Sequence, residues 1–243
     1  MIVEAIVPAA GFGVRMKSSI PKPLVKIGKK PVIIHTLEAL AHNRDIKRIL
    51  VAVNKDNLSR FKKVIGRYKI GKSLAFVSGG STRGDSVENC LKQVSGETDF
   101  VLIHDAVRPF ISQALISRLI RDVKESQAVI CGVPVKATIK KVTRQLIVAQ
   151  TLDRENIWEI QTPQVFAKAL LTEAYKRYGS RAGTDDASLV EKMGQKVKVI
   201  EGSYFNIKIT TPEDLILAKA ILKNLLASLR PRRRRGKQSL KYV

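Results

Sequence analysis

Three features of the 243-residue sequence predict an α/β fold, a mostly parallel sheet with helices on both faces. Short, continuous runs of Val, Ile and Leu recur along the chain, and unbroken apolar runs suit strands covered on both sides. Segments with apolar residues at three- and four-residue steps lie between them, and such alternation is what a parallel sheet with crossover helices requires. A composition of 44% apolar and 27% charged residues can fill a core, while two cysteines are too few for a disulfide framework.

Taken in order, Ile2 to Val7 reads as a first strand ending at Pro8, and Val32 to Ala41 as the helix that follows. Ile49 to Val53, Leu74 to Val77, Phe100 to Ile103 and Ala128 to Val133 repeat the strand pattern. Leu58 to Gly66, Ser86 to Val94 and Gln113 to Glu125 are the intervening helices; in the last, Leu115, Ile116, Leu119, Ile120 and Val123 form the apolar stripe. From Lys136 the rhythm changes, and Thr138 to Val142 and Leu146 to Gln150 flank a polar Thr143-Arg144-Gln145 as a hairpin arm spanning about 136–155. A hairpin with few partners of its own is stabilised by docking on another subunit, so a homodimer is expected. Helices follow at Ala167 to Tyr178 and Asp185 to Met193, the latter with Thr184 as N-cap. A strand at Val197 to Glu201 precedes a last helix whose start is marked by Thr211, Pro212, Glu213 and Asp214 and which runs to about Leu229. Residues 1–229 thus read as a single domain, and 230–243 as a basic tail expected to be disordered.

The charge balance is unusual: 44 Lys and Arg against 21 Asp and Glu give +23. Seven of those charges lie in Arg230 to Val243, so the body keeps +16. Such an excess suits an anionic partner. A nucleic-acid-binding protein is one reading, but the chain offers no recognised binding motif and only 5% aromatic residues. No nucleic acid is required, although the tail could bind polyanions weakly. No run approaches the roughly 20 apolar residues of a membrane span, and Glu4 interrupts a signal-like start, so a cytoplasmic protein without membrane attachment is expected. Cys90 and Cys131 fall in apolar contexts and read as reduced core residues.

The chemistry gathers at strand ends. Pro8-Ala9-Ala10-Gly11-Phe12-Gly13-Val14-Arg15-Met16 follows the first strand, and its small residues let backbone N–H groups approach a phosphate. It matches neither the dinucleotide nor the P-loop pattern. Arg15 and Lys22 add two cations, with Lys22 stiffened between Pro21 and Pro23. His104-Asp105-Ala106-Val107-Arg108-Pro109 follows the Phe100 to Ile103 strand, which places Asp105 where a parallel sheet opens its ligand crevice and makes it a candidate Mg²⁺ ligand. His104 reads as a core histidine. Gly79-Gly80-Ser81-Thr82-Arg83-Gly84-Asp85-Ser86 is a second loop of small residues, suited to a base or ribose, although capping alone would also explain Ser86. Asp153-Arg154, Thr162-Pro163-Gln164, Gly183-Thr184-Asp185-Asp186 and Asn206-Ile207-Lys208-Ile209 are polar clusters that bound elements.

In this order, from Val3 to about Leu226, these motifs resemble the 2-C-methyl-D-erythritol 4-phosphate cytidylyltransferases of the non-mevalonate isoprenoid pathway. The chain departs at Pro23, where the family usually has Gln, and in its basic tail. The resemblance implies a Rossmann-like, nucleotidyltransferase A-type fold with a dimerisation arm. It implies transfer of CMP from CTP to methylerythritol phosphate with Mg²⁺ as cofactor, by attack of the substrate phosphate on the α-phosphorus. By similarity, Arg15, Lys22, Arg154 and Lys208 are the catalytic residues, and Ala9, Ala10, Gly11, Gly13, Gly80 and Ser86 bind the nucleotide. Arg108, Thr138, Arg154, Thr184 and Lys208 hold the sugar phosphate, Asp105 holds the metal, and Thr138 and Arg154 reach the neighbouring subunit's site. A ribitol 5-phosphate cytidylyltransferase is the alternative, since it shares His-Asp-Ala-Val-Arg-Pro. The Pro-Ala-Ala-Gly opening and Asp85-Ser86-Val87 favour methylerythritol phosphate.

Overall fold

A computed structural model describes residues 1–11 and 20–228 of the chain. Seven strands form the central sheet: β1 (Val3–Pro8), β4 (Ile46–Val53), β5 (Ser73–Ser78), β6 (Phe100–Ile103), β7 (Ala128–Pro134), β10 (Trp158–Ala167) and β11 (Lys198–Glu201). Their spatial order is β11-β7-β10-β6-β1-β4-β5. Adjacent pairs are parallel except on the two sides of β10, which runs antiparallel to both β6 and β7. The mostly parallel α/β sheet predicted above is therefore present.

Helices cover both faces. On one side, α1 (Val32–Ala41), α2 (Leu58–Ile65) and α4 (Gln113–Ser126) close over Ala5, Val7, Ile49 and Val51. On the other, α3 (Arg83–Leu91), α5 (Lys168–Tyr178) and α6 (Asp186–Lys192) close over Ile6, Leu50, Val101 and Ile103. Successive residues of β1 thus enter opposite cores, which is why its run is apolar without alternation. The α4 stripe is buried as its spacing predicts. Cys90 and Cys131 are buried and unpaired by disulfide, and burial pushes both thiols up to about 12.

Several boundaries differ from the sequence reading for local reasons. α3 begins at Arg83 rather than Ser86, because Thr82 caps it: its side chain accepts from the Asp85 N–H while Asp85 accepts from the Thr82 N–H. The cap of α6 is Asp185, not Thr184, since the Asp185 carboxylate accepts from the Ser188 N–H at 3.0 Å. Pro23 is accommodated in a one-turn 3₁₀ helix, Lys22–Leu24, whose early N–H groups have no helical acceptor and so lose nothing to a proline. Between that turn and α1, β2 (Lys26–Ile27) and β3 (Lys30–Pro31) form a small hairpin absent from the sequence reading.

β10 is the principal omission. Pro163 argues against a central strand, yet the ladder to β7 skips from Gln161 to Gln164, so no bond is asked of the proline. The arm is present as β8 (Ile139–Val142) and β9 (Val148–Leu152), paired only with each other. α7 (Pro212–Ser228) follows; Asp214 accepts from the N–H groups of Thr210 and Thr211 at its start. The tail expected at 230–243 lies outside the described residues. None of the described helices is long and apolar enough to cross a membrane.

Candidate active site

The parallel strands β1, β4, β5 and β6 all point their carboxyl ends at one edge of the sheet, where ligand crevices of such folds open. A cleft of about 390 Å³ lies there, lined by Ala9, Ala10, Gly11, Gly80 and Ser86, the described part of the expected nucleotide set, and by Lys22, one of the expected catalytic residues. Gly13 and Arg15 lie outside the described residues. Backbones approach closely around the cleft: a Cβ on Gly79 would stand 2.3 Å from the Ala10 Cβ, and one on Gly80 2.2 Å from the Asp85 Cβ. The buried Ser86 hydroxyl ties the second loop down, accepting from the Gly80 N–H at 3.1 Å and donating to the Thr82 carbonyl at 2.9 Å.

A second cleft, about 440 Å³, adjoins the first and contains Arg108 and Thr184. Arg83, Asp105 and Lys208 line both and form the wall between them. Asp105 is the centre of that wall. Its Oδ1 accepts from Arg83 Nε at 3.0 Å, and its Oδ2 lies 2.8 Å from Lys208 Nζ and 3.7 Å from Arg108 Nε. Burial alone would keep this carboxyl protonated, but the charges of Arg83, Lys208 and Arg108 outweigh it and hold the pKa well below the usual carboxylate range. Lys208 is the most exposed of the three cations, with 41% of its side-chain surface open against 28% for Arg83 and 7% for Arg108.

The position of Asp105 is fixed through its backbone. Its N–H donates to Thr162 Oγ1 at 3.0 Å, Thr162 Oγ1 lies 3.1 Å from His104 Nδ1, and His104 Nε2 lies 3.0 Å from the Arg108 carbonyl. A carbonyl only accepts, so His104 carries its proton on Nε2 and takes the threonine proton's hydrogen bond on Nδ1. Burial pushes its pKa down to about 4, so the ring is neutral near pH 7, and His104 is the core histidine expected from the sequence. Arg108 is oriented by donation from Nη1 to the Asn206 carbonyl at 2.6 Å, and the Asn206 amide donates to the Thr162 carbonyl at 2.9 Å.

Thr138 and Arg154 line neither cleft. Both are exposed at the base of the arm, where Arg154 Nη1 donates to the Lys136 carbonyl. Sequence reasoning gave no role to Arg83, Asp186 or Asn206. Arg83 stands inside a quoted motif, but a cation at the start of a helix gives no sign that its partners are buried. Asp186, the first residue of α6, is buried against Tyr175, whose hydroxyl donates to it at 2.6 Å.

Comparison with known proteins places this geometry in context. The family model for 2-C-methyl-D-erythritol 4-phosphate cytidylyltransferase matches residues 3–224. The enzyme of that name from Bacillus mycoides is 44% identical over 219 residues, covering 89% of this chain and 96% of its own. Its counterpart from Geobacillus kaustophilus is 44% identical over 229 residues, covering 93% and 100%. The solved 4-diphosphocytidyl-2C-methyl-D-erythritol synthase from Anaerococcus prevotii superimposes with a TM-score of 0.80 at 34% identity, over 91% of this chain and 96% of that one.

Proposed function

We propose a mechanism from one premise: the chain belongs to the 2-C-methyl-D-erythritol 4-phosphate cytidylyltransferase family. It is a nucleotidyltransferase that moves CMP from CTP to the phosphate of methylerythritol phosphate. An oxygen of that phosphate attacks the α-phosphorus, a phosphoanhydride bond forms, and the bond from the α-phosphorus to its bridging oxygen breaks as pyrophosphate leaves with the electron pair. The attacking oxygen is already anionic at neutral pH, so the reaction needs positioning and charge stabilisation rather than a base.

The observation that carries the mechanism is the shared wall of Arg83, Asp105 and Lys208 between two adjoining clefts. CTP occupies the cleft of Ala9, Ala10, Gly11, Gly80 and Ser86, with Lys22 on its triphosphate. The sugar phosphate occupies the cleft of Arg108 and Thr184, and the two phosphates meet at the wall. Lys208 moves from Asp105 to the charge that develops between them. Arg15 and Gly13 join the nucleotide set by their place in the motif.

Among the described residues no group of three or more His, Cys, Asp and Glu could cage a metal. A Mg²⁺ held by one carboxylate and the substrate's phosphate oxygens needs no such cage. Asp105, an ionised oxygen donor on the nucleotide cleft, fits that donor set and would hold the ion, which when bound neutralises phosphate charge.

The arm completes the site from a second copy of the chain. Leu146 is 83% exposed and Ile147 65%, with Val142 and Val148 beside them, an apolar surface that suits a protein partner. A homodimer seated on this arm brings Thr138 and Arg154 to the neighbouring subunit's sugar phosphate. Residues 1–229 act as one catalytic domain, and its buried free thiols suit a cytoplasmic location.

The test is pyrophosphate release from CTP and Mg²⁺ with methylerythritol phosphate or ribitol 5-phosphate, in the unaltered chain and in Lys208→Ala. Release should require methylerythritol phosphate, and Lys208→Ala should lower kcat about 100-fold, the usual scale for one electrostatic contact at a reacting centre. Equal turnover by Lys208→Ala would remove the wall from the mechanism.

A further inference from the structure

Arg83 occupies the first position of α3 and joins three separate segments of the chain. Its Nε donates to Asp105 Oδ1 at the end of β6, and its Nη1 donates to Asp186 Oδ2 at the start of α6 at 2.7 Å. Asp186 is 1% exposed, and its other oxygen accepts from the Tyr175 hydroxyl on α5. The guanidinium plane is therefore clamped from behind by a carboxylate that lines neither the nucleotide cleft nor the sugar-phosphate cleft. With one donor of the rigid fork held by Asp186, the other meets Asp105 Oδ1 from a fixed direction, which a flexible ammonium could not do. Lys208 and Arg108 approach the other oxygen, Oδ2, at 2.8 and 3.7 Å. Arg83 thus holds Oδ1 while Lys208, the open cation, is able to leave Oδ2.

We propose that Arg83 is a positioning residue for the transfer: anchored by Asp186 and Tyr175, it sets the orientation of Asp105 at the junction of the two clefts. The proposal rests on the mechanism above, in which Asp105 faces the reacting phosphates. Arg83 binds no substrate in this role. Its own first turn belongs to the nucleotide loop, so the clamp also keeps that loop in register with the sugar-phosphate side.

The test uses the full-length chain with both substrates, and compares Arg83→Lys, Asp186→Asn and Asp105→Asn with the unaltered protein. Activity is normalised to folded protein by circular dichroism, below the Tm of every variant. Lysine keeps the charge but meets one carboxylate, and asparagine keeps the size of Asp186 but weakens its grip. Arg83→Lys should lower kcat by about 10- to 100-fold, the usual cost of losing a partner that orients a ligating group. KM for both substrates should stay within about threefold, because the contacts that bind them remain. Asp186→Asn should show the same pattern with kcat lowered about 3- to 10-fold, since a neutral hydrogen bond has about half the strength of a charge-assisted one. Mn²⁺ affinity in the presence of CTP, followed by electron paramagnetic resonance, should fall in parallel with kcat. If Arg83→Lys does not fold, Asp186→Asn decides, since it retains both neighbours in place. Unchanged kcat and Mn²⁺ affinity per folded molecule would overturn the proposal and leave Arg83 a purely structural bridge. Unchanged turnover in Asp105→Asn would instead overturn the mechanism on which the proposal rests, and the proposal with it.

Discussion

Gly84→Ala sets two effects of opposite sign against each other. Gly84 is the second residue of α3, and on an open helix surface Ala in place of Gly stabilises by about 1 kcal/mol. Here a Cβ would stand 2.0 Å from the Ser180 carbonyl oxygen and 3.0 Å from its carbon, where real Cβ contacts essentially never fall below 3.0 Å. The helix start and the Ser180 backbone must therefore part by about 1 Å. Side-chain rotation cannot relieve this, because the opposing atoms are main chain. Parting them also strains the donation from Ser180 Oγ to Asp85 and that from Arg181 Nη2 to Ser81 Oγ at 3.0 Å. Overpacking costs about 1–3 kcal/mol, and against rigid main chain the upper part of that range, about 2–3 kcal/mol, applies, so propensity is outweighed and a net loss of about 1–2 kcal/mol follows. For a chain of this size that lowers Tm by about 2–8 °C. The displaced turn carries Arg83, and misplacement by about 1 Å costs on the order of 100-fold in turnover. Differential scanning calorimetry and pyrophosphate release measure the two consequences. Gly96→Ala, where a Cβ meets nothing within 4 Å, is the control. A higher Tm with unchanged turnover in Gly84→Ala would mean that helix propensity alone operates and that the close approach has no role.

Two further outcomes follow from the site. Lys22→Ala and Arg154→Ala should each be inactive alone, whereas mixed subunits should regain part of the activity, since one site in the heterodimer then receives Lys22 from one chain and Arg154 from the other. Verified heterodimers without recovery would rule out sharing. Stability should fall as pH drops from 6.5 toward 4: the unfolded chain protonates His104 near 6.5, whereas the folded state excludes that proton until about 4. The loss reaches on the order of 3 kcal/mol by pH 4, and His35, its pKa also lowered by burial, adds in the same direction. Thermal scans at pH 7 and pH 5 check this, and a Tm at pH 5 equal to or above that at pH 7 contradicts it.

The strands and helices most legible in the sequence are those whose apolar side chains all pack into a core. β1, β4 and α4 are defined by packing, and packing leaves a periodic trace. β10 left none, because its Thr162-Pro163 segment serves Asp105 and His104 rather than the ladder, and the polar residues needed for that task interrupt the apolar run. The site was legible where small residues and charges follow a strand, as at Ala9 to Gly11 and at Asp105. Arg83 was not, since its meaning depends on Asp186, 103 residues away along the chain. Thr184 reads as a cap in the sequence because it precedes two acids, whereas the first of those acids does the capping.

The arm enters and leaves the sheet at one point. Pro134 at the end of β7 pairs with Trp158 at the start of β10, and just outside them the Val135 N–H donates to the Ile157 carbonyl at 3.0 Å. Its two ends are thus one strand spacing apart, about 4.8 Å. A short turn could join them without altering the register of any central strand, so the arm is a module that can be cut out or lengthened while the sheet and both clefts are kept. Excision at that hairpin root should therefore leave the folded body intact while removing Thr138 and Arg154 together with the arm.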